Sequence, residues 1–76
     1  MRTVQVNINS IDKVKAFVNT VNNFNSDFDL VSGRFVIDAK SIMGIFSLDL
    51  SKPITLNIYN DDDATIMESL KPFIVE

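Results

Sequence analysis

The chain contains no cysteine, no histidine and no tryptophan, and only two glycines and two prolines among its 76 residues. Without cysteine there are no disulfides, thiolate metal sites or thiol nucleophiles, and without histidine the commonest metal ligand and general base is missing. Most catalytic routes close at once, so no enzyme activity and no cofactor are expected. Gly33 and Gly44 are the only glycines, too few for a glycine-rich phosphate loop. Clustered positive charge is also absent. Arg2, Lys13, Lys15, Arg34, Lys40, Lys52 and Lys71 are scattered and the net charge is -3, which gives nucleic acid no electrostatic foothold. Long apolar runs are missing too. The first residues, Met1 to Val6, alternate polar and apolar, and no stretch approaches membrane-spanning length. The expectation is a cytoplasmic protein with no membrane partner.

What is present has the make-up of a folded domain. Hydrophobic residues form 46% of the chain and charged residues 22%, well away from the polar, highly charged regime of disordered chains. At this length a single core is possible and a second is not, so residues 1–76 form one domain. Val4, Val6 and Ile8 alternate with Thr3, Gln5, Asn7 and Asn9, the period of a strand with one buried face. Ser10 is a helix-capping residue, and Ile11, Val14, Phe17, Val18, Val21 and Phe24 then recur at helical spacing as one apolar stripe. The asparagines from Asn22 to Asn25 suit a left-handed helix exit. Asp27 to Val31 and Arg34 to Asp38 flank Ser32-Gly33, which predicts a hairpin with those two residues as the loop. In that register Leu30 faces Phe35, Phe28 faces Ile37, and Asp29 and Val36 oppose each other on the other side.

A short helix is expected from Ser41 to about Asp49, and after Lys52-Pro53 the alternation of Ile54 to Tyr59 marks another strand. Asn60 to Asp63 turns the chain. The three aspartates Asp61, Asp62 and Asp63 lack the spaced oxygen ligands and turn glycine of a calcium loop, and Asp62 or Asp63 fits the cap of the next helix. That helix carries Ala64, Ile66, Met67, Leu70, Phe73 and Ile74, with Pro72 ending or bending it. Met67 and Tyr59 are expected to pack on the core. The resulting order is β-α-β-β-α-β-α. Helical stripes and strands with one apolar face together call for helices on one side of an antiparallel sheet, an α+β open-faced sandwich. A ferredoxin-like unit with an added helix meets the same pattern.

The stretch Ala39-Lys40-Ser41-Ile42-Met43-Gly44-Ile45-Phe46-Ser47-Leu48 carries most of the functional information. A serine opens a helix whose apolar residues span roughly 220° of its circumference, about twice what a helix lying on a sheet can bury. Some of Ile42, Met43 and Phe46 are therefore expected at the surface, beside Ser41 and Lys40, as a docking surface. Packing against a second copy is the competing reading. Gly44 suits either, since a missing side chain inside a helix costs up to about 1 kcal/mol and marks close approach by another group.

From about Ser26 to Leu48 the sequence resembles HPr, the phosphocarrier family of the bacterial sugar phosphotransferase system, most specifically at Ala39 to Gly44. Element order agrees along the whole chain. The resemblance implies the HPr-like open-faced β-sandwich, a four-stranded antiparallel sheet with three helices on one face. It also implies a Gly-Leu-His-Ala-Arg-Pro-Ala type loop after the first strand, where this chain has Asn7-Ile8-Asn9-Ser10-Ile11-Asp12-Lys13-Val14. Anchoring on Phe17-Val18 puts Ser10 near the family's histidine and Asp12 near its arginine. A serine hydroxyl is far less nucleophilic than an imidazole, and Asp12 repels phosphate. The residues themselves read as a cap and a first-turn anion.

Ser41 matches the family's regulatory serine. Through that match the resemblance implies phosphorylation by HPr kinase/phosphorylase and docking of the phosphorylated form onto a catabolite control transcription factor, with Lys40, Ile42, Met43 and Phe46 as the partner-binding residues. A serine in this place is also an ordinary helix cap, and the two roles are compatible. The chain is similar in kind to the catabolite-repression HPr paralogue, which lacks the active histidine and keeps the serine. The leading expectation is a regulatory or interaction module of the phosphotransferase system. Phosphoryl transfer through an unrecognised residue, and a self-associating domain with a homodimer on the exposed helix face and no switch, are the alternatives.

Overall fold

The computed structural model describes residues 2–59 and 64–75. Strand β1 (Arg2–Val6) leads into helix α1 (Ile11–Asn22), the hairpin β2 (Asp27–Ser32) and β3 (Phe35–Asp38), helix α2 (Ile42–Phe46) and strand β4 (Ile54–Tyr59). Helix α3 (Ala64–Leu70) follows, then a 3-10 turn (Lys71–Phe73) and a short strand β5 (Ile74–Val75). The strands form one antiparallel sheet in the order β3-β2-β4-β1-β5. The expected turn at Asn60 to Asp63, with the cap assigned to Asp62 or Asp63, lies outside the described residues.

Period-two alternation determines which face is buried. Val6, Phe28, Leu30, Ile54, Leu56 and Ile58 are all buried, and cross-strand pairing aligns them: Val6 with Ile54, Leu30 with Leu56, Phe28 with Ile58. The helices cover that side with Val14, Phe17, Val18 and Val21 from α1, Ile45 from α2, and Ile66 and Leu70 from α3. Phe17 meets Phe73 edge-on, with ring centroids 5.5 Å apart. Opposite them the sheet is open to solvent, where Thr3 donates to Asn57 at 2.8 Å and Gln5 to Thr55 at 2.8 Å.

Five expectations need correction. The sheet has five strands, because Pro72 shortens α3 into a 3-10 turn and frees Ile74 and Val75 to pair with Val6 and Gln5. The backbone N–H of Asn7 fastens this return by donating to the Phe73 carbonyl at 2.8 Å. The hairpin loop is Gly33-Arg34, with Ser32 opposite Phe35, Val31 opposite Val36, Leu30 opposite Ile37 and Asp29 opposite Asp38. Gly33 takes φ +59 and Arg34 does not follow it into the left-handed region, so the glycine has to stand first in a II′-type loop. The slip is two residues, so every side chain keeps its predicted face. Helix α1 leaves through Asn23 at φ -73, right-handed, with Asn23 N donating to the Thr20 carbonyl and Phe24 N to the Val21 carbonyl. Ile11 is 62% exposed, because the apolar stripe begins only at Val14. Tyr59, at an odd position of β4, lies on the open side and is exposed, whereas Met67 packs against the core as expected.

Helix α2 is seated by close approach. A Cβ placed on Gly44 would stand 2.6 Å from Ile37 Cγ2 and 3.2 Å from Ser41 Oγ. Gly44 has no positive φ, so space rather than backbone freedom requires the glycine there. Gly44→Ala should destabilise the domain in urea unfolding by about 1–2 kcal/mol, overpacking outweighing the better helix propensity of alanine. Adding Ile37→Ala should recover part of that loss, so that the double variant is less damaged than the sum of the singles.

Candidate functional site

Ser10 and Ser41 occupy equivalent local positions. Each has extended backbone and accepts a hydrogen bond from the amide three residues on: Ser10 Oγ from Lys13 N at 3.1 Å, Ser41 Oγ from Gly44 N at 3.3 Å. Both are exposed. The capping role read from the sequence is therefore present at both, with Asp12 in the first turn of α1. Around Ser10 the sequence supplies the carboxylate of Asp12 and no imidazole.

Ser41 stands at the end of a tightly bonded turn. Ala39 N donates to the Phe28 carbonyl at 2.9 Å, Lys40 N to Asp38 Oδ1 at 2.9 Å, and Ser41 N to the Asp38 carbonyl at 2.9 Å. Chain direction changes over these residues while every amide is satisfied. The Lys40 ammonium turns away along the domain: Nζ donates to the Phe24 carbonyl at 2.7 Å and lies 5.7 Å above the centre of the Phe28 ring. Lys40 thus ties the α1–β2 connection to the β3–α2 turn, a structural role that sequence adjacency to Ser41 did not reveal.

Beyond the serine, α2 divides as its periodicity demands. Ile45 is fully buried and Ile42 half-buried, while Met43 is 77% exposed and Phe46 40% exposed. The structure therefore leaves Ser41, Met43 and Phe46 exposed on this short helix and its cap, with Ile42 half-buried. Ser47 Oγ donates to the Gly44 carbonyl, and the helix closes there. Further on, Asp49 organises the next turn, its Oδ1 accepting from Ser51 N at 3.1 Å and Ser51 Oγ at 2.6 Å. Those two bonds, side chain first, hold the Asp49 carboxyl below its ordinary value.

One feature of the open sheet face escaped sequence reasoning. Asp27, Asp29, Asp38, Phe28 and Tyr59 line a groove there. Register brings the carboxylates together: Asp29 is paired with Asp38, and Asp27 with Tyr59. Period-two spacing placed Asp27 and Asp29 on one face, but Asp38 joins them only once the hairpin register is known. Among the described residues no cluster is arranged to hold a metal ion.

These features define a class: an open-faced α+β sandwich whose second helix presents a capped serine and an apolar end to solvent. Residues 4–76 match the family model described as the PTS HPr component phosphorylation site. In three dimensions the chain is similar to HPr-C-His from Thermoanaerobacter tengcongensis, with 28% identity, a TM-score of 0.78, and coverage of 95% of this chain and 89% of that one. It is similar also to a phosphocarrier protein HPr from Bacillus anthracis str. Ames, with 28% identity, a TM-score of 0.75, and coverage of 97% and 94%. No curated protein matches it by sequence. The chain belongs to the HPr family of the phosphotransferase system.

The groove supplies a direct test of the open-face geometry. Asp29 accepts the Tyr59 hydroxyl and, with partial burial and its own negative charge, raises the phenol above 10.0. A raised pKa favours the neutral phenol in the folded state, so the associated stability is complete below the unfolded value and disappears as pH climbs through the folded one. Tyr59 is the only tyrosine, so alkaline ultraviolet titration reads it alone. Asp29→Asn should bring its midpoint down towards 10.0.

Proposed function

We propose that this HPr-family chain has no histidine phosphocarrier capacity and works as a regulatory protein-interaction module of the phosphotransferase system, switched by phosphorylation of Ser41. The observation that carries the reading is the absence of any histidine in 76 residues on a scaffold that keeps an exposed, capped serine beside exposed Met43 and Phe46. A carrier needs a nucleophile that accepts and releases a phosphoryl near neutral pH, and the hydroxyl of Ser10 does neither readily. A phosphoserine instead is a stable mark. It adds roughly -1.5 to -2 of charge at pH 7 and strong acceptor oxygens, which can take over the bond from Gly44 N without unfolding α2.

In this reading Met43 and Phe46, with Ile42 at their margin, form the apolar part of a docking surface, and the phosphate its charged part. Lys40 supports the surface from behind through its bond to Phe24 and its contact with Phe28. The partners, by kinship, are an HPr kinase/phosphorylase and a catabolite control transcription factor, in the cytoplasm. No helix among the described residues is long and apolar enough to cross a membrane.

Incubation with an HPr kinase/phosphorylase and ATP should place one phosphate on Ser41, mapped by mass spectrometry, and Ser41→Ala should abolish it. Ser10→Ala should leave the modification intact while costing about 1 kcal/mol of stability through the lost cap. Label from phosphoenolpyruvate, passed through the first enzyme of the system, should not appear on the chain. An unmodified Ser41 under conditions that phosphorylate a histidine-bearing HPr rejects the switch.

A further inference from the structure

We propose that two copies of this chain associate by antiparallel pairing of their β3 edges, centred on Val36. Among the described residues, strand β3 is the last of the sheet and has β2 as its only neighbour. Ala39 N donates to the Phe28 carbonyl, which continues the β2–β3 ladder. Because antiparallel pairs alternate between bonded and unbonded positions, Phe35 and Ile37 direct their backbone groups to β2. Val36 and Asp38 direct theirs outward. At Asp38 the carbonyl is taken by Ser41 N, whereas Val36 presents both its N–H and its C=O to the free edge.

The exposed sequence is matched to its own reverse. With Val36 opposite the partner copy's Val36, Phe35 stands opposite Ile37, and Arg34 opposite Asp38, at both ends of the strand. Charges of opposite sign therefore meet twice, apolar pairs form on both faces, and each Val36 exchanges two backbone bonds with its twin. Sliding by two residues either way puts Arg34 or Asp38 opposite Val36 and loses both charge pairs. Sliding by one opposes outward groups to inward ones. Only one register satisfies the backbone and the charges together.

Exposure agrees with this occupant. Phe35 is 66% exposed and Val36 63%, large apolar side chains on opposite faces of the same edge. An edge of that kind is a template for another strand. Helix α2 leans inward on α1 and on β3 at Ile37, and so crosses the sheet on the inner side of the strand. The other sheet edge is divided between the two-residue β5, paired with Gln5 and Val6, and the first three residues of β1, Arg2 to Val4, and it lacks the self-complementary charge order of β3. This pairing differs from a dimer formed on the face of α2, and it stands whether or not Ser41 is modified.

Sedimentation equilibrium of the intact chain from micromolar to millimolar concentration should show a reversible monomer–dimer equilibrium that weakens as salt rises. Arg34→Asp, which opposes like charges twice, should raise the dissociation constant by about tenfold or more. Combining it with Asp38→Arg should restore association, and Phe46→Asp should leave it largely unchanged. Amide exchange at Val36 should slow with concentration. Since the chain has no cysteine, Val36→Cys should be joined to its twin by a short bis-maleimide, while Asn19→Cys, exposed on α1, should not. A chain that stays monomeric at millimolar concentration overturns the proposal. So does a dimer that ignores Arg34→Asp and is lost in Phe46→Asp.

Discussion

The close approach of Gly44 and Ile37 sets the position of helix α2 and of the residues around it. Helix α2 is five residues long, far too short to persist on its own propensity. It exists because one face can approach the sheet closely enough to bury Ile45, and that approach is open only where residue 44 has no Cβ. Once the helix is seated, its rotation is determined. Ser41 caps it from solvent, Ile45 points into the core, and Met43 and Phe46 have nowhere to go but outward. The glycine is thus less a flexible point than a fitted one.

The same constraint explains what was legible in the sequence. Alternation in β1, β2 and β4 and the stripe of α1 follow from periodicity, and the helix-on-sheet arrangement followed from them. Capping serines were equally readable, because the bond from Lys13 N to Ser10 Oγ or from Gly44 N to Ser41 Oγ is local. Errors arose where a local rule had two solutions. Ser32-Gly33 and Gly33-Arg34 are both acceptable two-residue loops, and the choice between them belongs to the pairing of Val31 with Val36 and of Ser32 with Phe35. The end of α3 departs from its periodicity for a related reason: apolar Phe73 and Ile74 continue a helical pattern, but Pro72 and the waiting edge of β1 convert them to a turn and a strand. Lys40 shows the limit most clearly, since its partner Phe24 is 16 residues away.

The scaffold forms from a chain without histidine, and the reason is thermodynamic. A loop residue at the β1–α1 corner contributes to stability mainly by capping α1, and Ser10 fills that role directly. Nothing in the core depends on what nucleophile stands there: Val6 and Ile8 on one side and Val14 on the other are buried whatever residue 10 carries. Chemistry at this corner and folding of the domain are separable, so one is free to go while the other stays. At the β3–α2 turn they are not separable. There Ser41 is both cap and candidate switch, packed around Gly44 and beside the Asp38 carbonyl that receives its amide.

That turn also joins the two proposed surfaces. The outer edge of β3 is made of backbone groups, which in the proposed pairing another strand reads; the end of α2 is made of side chains, which in the proposed docking shape and charge would read. An unprotected edge invites indiscriminate pairing, and folded proteins commonly blunt it with charge. Here Arg34 and Asp38 stand at the two ends of the exposed strand, with Val36 between them. A foreign strand that lacks the reverse charge order leaves at least one of them facing an apolar or like-charged neighbour, whereas the chain's own strand satisfies both. The same two charges that guard the edge against other sequences therefore select one, and electrostatics turns a general liability of open sheets into a specific fit.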